Sequence, residues 1–137
     1  MQVLLFETKK YINDVNTYRS LGLLYFESGQ YQKAEEEFRY VIYICPENIK
    51  AYNDLASLYV YRNEYKKAIE QWNKALELDM DFKEKHIFLY YIGMAYQKKQ
   101  MPDKALEYFK EALSFAPERS LVVKEIEEEI NKIYKSH

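Results

Sequence analysis

Apolar residues along this chain recur at the spacing of an amphipathic helix. Tyr18, Leu21 and Tyr25 are separated by steps of three and four residues, and the same steps recur over residues 34–41. Such steps place side chains on one face of a helix, whereas a half-buried strand alternates at every second residue. The pattern therefore predicts two short helices in the first third of the chain, each with one apolar face.

This pair of predicted helices recurs three times. The second copy follows the first after 34 residues, and the third follows after a further 37. In each copy, a small residue on the first helix is matched by an alanine and a large ring on the second. The three sets are Gly22, Ala34 and Phe38, then Ala56, Ala68 and Trp72, then Gly93, Ala105 and Phe109. We expect the small residues to let the helices approach closely and the rings to fill the space between one pair and the next.

Glycine, asparagine and proline mark the predicted helix ends. Gly29 and Asn63 stand where the first helix of a copy stops and a left-handed backbone is favourable. Gln100 in the third copy does not fit this rule, so we expect Pro102 to make the break there. Pro46 and Pro117 are expected to end second helices, because the residue before a proline is pushed out of helical geometry.

The order of an aromatic residue, Leu-Gly, Tyr, Ala, Phe and Pro within 34 residues resembles the tetratricopeptide repeat. The resemblance implies an all-α, right-handed α-solenoid of helix-turn-helix repeats. The chain departs from it by three extra residues within 81–86, which we expect to lengthen the start of the next helix by about one turn. The implied units are an N-terminal segment (1–14), repeats at 15–48, 49–82 and 86–119, and a C-terminal capping helix at 120–137.

The predicted capping helix has one apolar and one charged face. Val123, Ile126 and Ile130 continue the apolar pattern, but Glu127 stands where a small residue would let a second helix approach. Ser120 is its predicted N-cap. Its charged residues are expected in water, as the terminal face of a solenoid requires: Lys124, Glu125, Glu128, Glu129 and Lys132.

The resemblance also implies that the first helices line a concave groove. The groove residues would lie beside the packing face of each first helix: Asn16, Arg19, Leu23, Phe26, Lys50, Asn53, Ser57, Val60, Ile87, Tyr90, Met94 and Gln97. This mixture suits an extended peptide or an amphipathic helix. In the alternative interpretation, Leu23, Phe26, Ile87 and Met94 pack on neighbouring helices, while Arg19 and Lys50 are solvated surface charges.

Some tetratricopeptide domains hold the C-terminal carboxylate of a chaperone through a clamp of lysine and asparagine residues. Arg19 takes the place of the first lysine here. The other clamp positions hold Leu23, Asp54, Ile87 and Tyr91, which do not bind a pair of carboxylates. We therefore expect no clamp of this kind.

Composition supplies little material for catalysis. The chain has one cysteine, Cys45, and two histidines, His86 and His137, so neither a Cys/His nucleophilic pair nor a histidine-rich metal site is expected. No glycine-rich phosphate loop is present, and the net charge of −2 disfavours nucleic acid. Apolar runs are too short for a membrane span. We expect no enzyme activity, no cofactor and no metal.

The leading functional hypothesis is a non-catalytic scaffold or adaptor, in the cytoplasm, that binds a peptide segment of a partner protein. One alternative is a homo-oligomer that self-assembles through residues 3–6 or through a tyrosine-rich face, since the chain has 15 tyrosines. Others are a secretion-type chaperone and a part of a larger multidomain or membrane-anchored protein. The segment 1–14 is predicted either to be a helix covering the first repeat or to be the remnant of a preceding one.

Overall fold

The computed structural model describes residues 15–136, and this part of the chain is all-α, as predicted. Its seven helices are α1 (Val15–Glu27), α2 (Tyr31–Ile44), α3 (Ile49–Tyr61), α4 (Tyr65–Leu78), α5 (Lys85–Lys98), α6 (Pro102–Phe115) and α7 (Leu121–Ser136). The predictions for residues 1–14 lie outside the described residues.

The helices form three hairpins in series. The main contacts within hairpins are α1 with α2, α3 with α4, and α5 with α6. The second helix of each hairpin then packs on the next helix along the chain, so that α7 lies against α6. This nearest-neighbour packing is that of a solenoid, in which each unit buries its apolar face mainly against its neighbours.

The glycines of the first helices lie under aromatic rings of the same hairpin. A Cβ built on Gly22 would lie 2.5 Å from Cε1 of Phe38, and one built on Gly93 would lie 2.6 Å from Cε1 of Phe109. Both rings are buried. The small residues therefore make room for a ring as much as for the facing helix, which places the rings inside their own hairpins as well as between hairpins.

The three hairpins turn with the same backbone geometry. Gly29, Asn63 and Gln100 all have a positive φ, at 80°, 61° and 61°. The N–H of the residue that follows closes each turn, as Glu64 N bonds to Tyr59 O at 2.7 Å. The expectation that Gln100 departs from this rule is therefore wrong. The hydrogen bonds of the turn offset the modest strain of a left-handed glutamine, and Pro102 begins α6 one residue after the turn.

Two expectations about helix starts are also wrong. The extra residues do not lengthen α5, which begins at Lys85, but form a loop in which Asp79 Oδ2 accepts a bond from Glu84 N at 3.0 Å. Ser120 does not cap α7 with its side chain, because its buried hydroxyl has no partner among the described residues. Its backbone carbonyl accepts from Val123 N instead, at 3.2 Å.

Candidate functional site

A pocket of about 480 Å³ opens between α3, α4 and α5, with Glu125 of α7 at its edge. Four of the predicted groove residues line it, namely Ser57, Val60, Tyr90 and Met94. The other six lining residues were not among those predicted: Tyr65, Trp72, Tyr91, Ala95, Lys98 and Glu125. The sequence indicated Tyr91 only as an uncharged residue at a clamp position, whereas Trp72 has a repeat position that predicts only core packing.

Aromatic rings form most of one wall. The ring centroids of Trp72 and Tyr91 are 5.4 Å apart, and those of Tyr90 and Tyr91 are 5.9 Å apart. The indole Nε1 of Trp72 donates to Oδ1 of Asn53 at 2.8 Å, so a predicted groove residue holds this ring in place. Because the indole donor is already bonded, the wall offers mainly apolar contact to a bound molecule.

The edge of the pocket next to α7 carries negative charge. Burial raises the pKa of the Tyr90 hydroxyl, and the nearby carboxylates of Glu129, Glu125 and Glu128 raise it further. Glu129 is half-buried and accepts from Lys132 Nζ at 2.9 Å, while Glu125 and Glu128 are exposed. The prediction that all the charged residues of α7 lie in water is thus wrong for Glu129, and Glu125 borders the pocket.

At the α1 end of the predicted groove, Arg19 is paired with Asp54. Both Nε and Nη2 of Arg19 contact the carboxylate, and the Nη2–Oδ1 distance is 3.3 Å. Burial raises the pKa of Asp54 even though Arg19 opposes the shift. The guanidinium is thus engaged within the chain.

The remaining predicted residues do not join the pocket. Phe26 packs edge-on against Tyr31 and Tyr61, with centroid distances of 5.6 and 5.3 Å, as the packing alternative predicts. Asn16 lines a separate, open depression along α1. The rest stand apart from the pocket lining, with Leu23 and Lys50 exposed and Ile87 and Gln97 half-buried.

Within residues 15–136, no three His, Cys, Asp or Glu side chains lie close enough to hold a metal ion. Among the same residues, no helix has the length and hydropathy of a bilayer span. The lining of the pocket itself supplies apolar contact beside the charged residues Lys98 and Glu125, which suits binding.

Three solved structures resemble this chain. The N-terminal domain of stress-induced protein-1 from C. elegans is 23% identical, with 85% of this chain and 94% of that one covered and a TM-score of 0.74. The first TPR of Spaghetti (RPAP3), bound to the HSP90 peptide SRMEEVD, is 20% identical, with 90% and 93% covered and a TM-score of 0.75. The Yersinia enterocolitica secretion chaperone SycD, in complex with a peptide of the translocator YopD, is 13% identical, with 90% and 95% covered and a TM-score of 0.80. At identities this low, the similarity shows that the fold is shared and nothing more.

Among curated proteins, none matches the sequence. The family models described as tetratricopeptide repeat match residues 15–48, 49–82 and 87–119, which together make up most of the chain. These matches fall on the three hairpins whose small residues and rings recur in phase. The chain therefore belongs to the tetratricopeptide repeat family, whose helical hairpins serve as protein–protein interaction modules.

Proposed function

We propose that the chain is a non-catalytic scaffold or adaptor that holds a peptide segment of a partner protein along its first helices. The observation that carries this proposal is the pocket between α3 and α5, which four predicted groove residues line. Its aromatic wall and volume suit an apolar side chain of a peptide, since a few enclosed anchors supply most of the affinity of such interfaces. Two of the similar structures hold peptides.

An acidic chain end is not the ligand that this surface favours. The peptide SRMEEVD in the Spaghetti structure carries three acidic residues. In this chain Arg19 is paired with Asp54, and the pocket is bordered by Glu125. An anionic peptide would find the guanidinium already paired at one place and a carboxylate at the other, so the fold is shared while the ligand chemistry proposed here differs.

The test replaces Tyr90 and Met94 together with glutamate and uses the chain as bait in affinity capture from the native organism. We expect proteins that the unmodified chain retains to be lost, because two charges would enter the apolar pocket. The control is Tyr43→Glu on α2, where the side chain is 81% exposed. An unchanged set of captured proteins, with helicity retained by circular dichroism, would contradict the proposal.

Self-association is a second candidate. Large apolar side chains are exposed in the first and last described helices, with Leu24 at 61% and Leu121 at 79% exposure. Pairing of such surfaces between copies would bury them. Static light scattering over a tenfold range of concentration separates the two candidates, since a constant monomer mass removes this one.

A further inference from the structure

The charged groups around the pocket are arranged unevenly. Glu125 lines it from α7, and Glu128 and Glu129 stand close enough to shift the titration of Tyr90. Lys132 already pairs with Glu129, so a ligand would meet the charge of Glu125 and Glu128. Lys98 lines the opposite end, eight residues further along α5 and so roughly 12 Å from Tyr90 along the helix axis.

The apolar part of the pocket fits a large side chain. Its lining includes Trp72, Tyr90, Tyr91 and Met94, and the volume of about 480 Å³ exceeds that of a single aromatic side chain. Rings held at 5.4 to 5.9 Å from one another form a wall against which leucine or phenylalanine would bury its surface. The acidic side lies directly next to this wall, since the same carboxylates act on the hydroxyl of Tyr90.

We propose that the pocket takes a peptide segment from a separate partner protein in which a large apolar residue is flanked by lysine or arginine. The apolar residue lies against Tyr90, Tyr91 and Met94, next to the buried ring of Trp72, and the basic residue pairs with Glu125 and Glu128. This inference rests on the proposed function and names the chemistry of its partner. Complementary charge at the edge of an apolar anchor contributes more to the specificity of binding than to its affinity.

The experiment uses the single tryptophan of the chain as its probe. Trp72 lines the pocket, so its emission reports occupancy without a label. Three blocked peptides are titrated against the full chain: Lys-Leu-Leu-Phe-Lys, Glu-Leu-Leu-Phe-Glu and Lys-Ser-Ser-Ser-Lys. We expect the first to bind on the order of fivefold more tightly than the second, because two exposed ion pairs replace two repulsions. The third peptide should not change the emission of Trp72. Added salt should reduce the ratio of the affinities of the first two peptides, because it screens exposed charges.

Charge-reversal variants on α7 test whether Glu125 causes the preference for the cationic peptide. Glu125→Lys should lower the ratio of the two affinities at least threefold, since it places a cation at the pocket edge. The matched control is Glu127→Lys, an exposed glutamate of the same helix that is not among the groups acting on Tyr90. It should leave the ratio unchanged.

Several results would overturn the inference. Equal affinities for the first two peptides, or tighter binding of the acidic one, would reject the preference for a basic partner. Peptide binding itself would still stand. Equal effects of Glu125→Lys and Glu127→Lys would show a general charge effect.

A fourth peptide tests whether the chain supplies its own ligand. It comprises residues 1–14, with an apolar run at 3–6 and then Lys9 and Lys10. If it binds more tightly than the cationic peptide, the occupant is this segment of the chain itself, in the same or a second copy, and not a separate partner. No response of Trp72 to any peptide would reject the inference, and the capture experiment would still decide the proposed function.

Discussion

At the scale of single residues, close approach and buried charge determine the hairpins. Gly93 lies directly under the ring of Phe109, so even one methyl group has no room there. Glu35, on α2, accepts hydrogen bonds from Tyr59 Oη at 2.8 Å and from Arg62 Nη1 at 3.1 Å. Both donors belong to the next hairpin, Tyr59 on α3 and Arg62 in the turn after it. One contact holds a hairpin closed, and the other ties two hairpins together.

Replacing Gly93 with alanine should destabilise the chain by about 1–3 kcal/mol, because the new Cβ would force the buried ring of Phe109 out of its position. Chemical denaturation measures the loss. Combining it with Phe109→Leu should cost less than the sum of the two single changes, since the smaller side chain relieves the clash. Strict additivity of the two free energies would show that the glycine is not required by this contact.

Glu35 predicts a dependence of stability on acid. Burial alone would raise the pKa of this carboxyl, but the hydrogen bonds from Tyr59 and Arg62 and the charge of Arg39 outweigh it and lower the pKa. A carboxyl with a lowered folded pKa contributes stability above its unfolded pKa, near 4.5, and this contribution is lost as the pH falls through the folded value.

Glu35→Gln should therefore cost on the order of 1–2 kcal/mol at pH 7 and progressively less below about pH 4.5. Urea denaturation of both proteins from pH 7 to pH 3 measures the difference. The control is Glu36→Gln, an exposed neighbour on the same helix. A difference between Glu35→Gln and the unmodified chain that is constant with pH would contradict the account.

At the scale of elements, the sequence predicted most of the helices because their small and aromatic residues recur in register. Gln100 shows the limit of residue types as turn signals: the three hairpins have the same turn, and its hydrogen bonds impose a left-handed backbone whatever the side chain. The loop before α5 shows another limit. Lys85 Nζ lies 4.7 Å from the ring centroid of Phe82 and 4.1 Å from that of Phe115, a tertiary contact that no local pattern encodes.

The packing of α7 gives a prediction for this scale. Ile126 is fully buried in the cluster that α7 shares with α6. Ile126→Ala should lower the free energy of unfolding by about 2–5 kcal/mol, because it leaves a cavity in this cluster. Leu121→Ala, at an exposed position of the same helix, should change it by no more than about 0.5 kcal/mol. Equal losses in thermal or chemical denaturation would mean that α7 does not pack as described.

At the scale of the whole molecule, the candidate site depends on how hairpins lie against each other. The sequence indicated Ser57, Val60, Tyr90 and Met94, because the family resemblance assigns their helix positions to the groove. It did not indicate Trp72, whose repeat position predicts burial in the core, or Glu125, which reaches the pocket only because α7 packs beside α5 and α6. Arg19 was predicted as a groove residue, but its pairing with Asp54 of the next hairpin was not predicted. Such pairings arise from three-dimensional neighbours, so a reading along the chain misses them.

The central claim is that peptides bind along the first helices at the pocket. The most direct measurement titrates the Lys-Leu-Leu-Phe-Lys peptide into the ¹⁵N-labelled chain and maps the shifted backbone amides. The account predicts that the largest shifts fall on Ser57, Tyr90, Tyr91 and Met94, with Tyr43 on α2 unaffected. Shifts concentrated on α2 and the exposed face of α6, with the pocket residues unchanged, would contradict it.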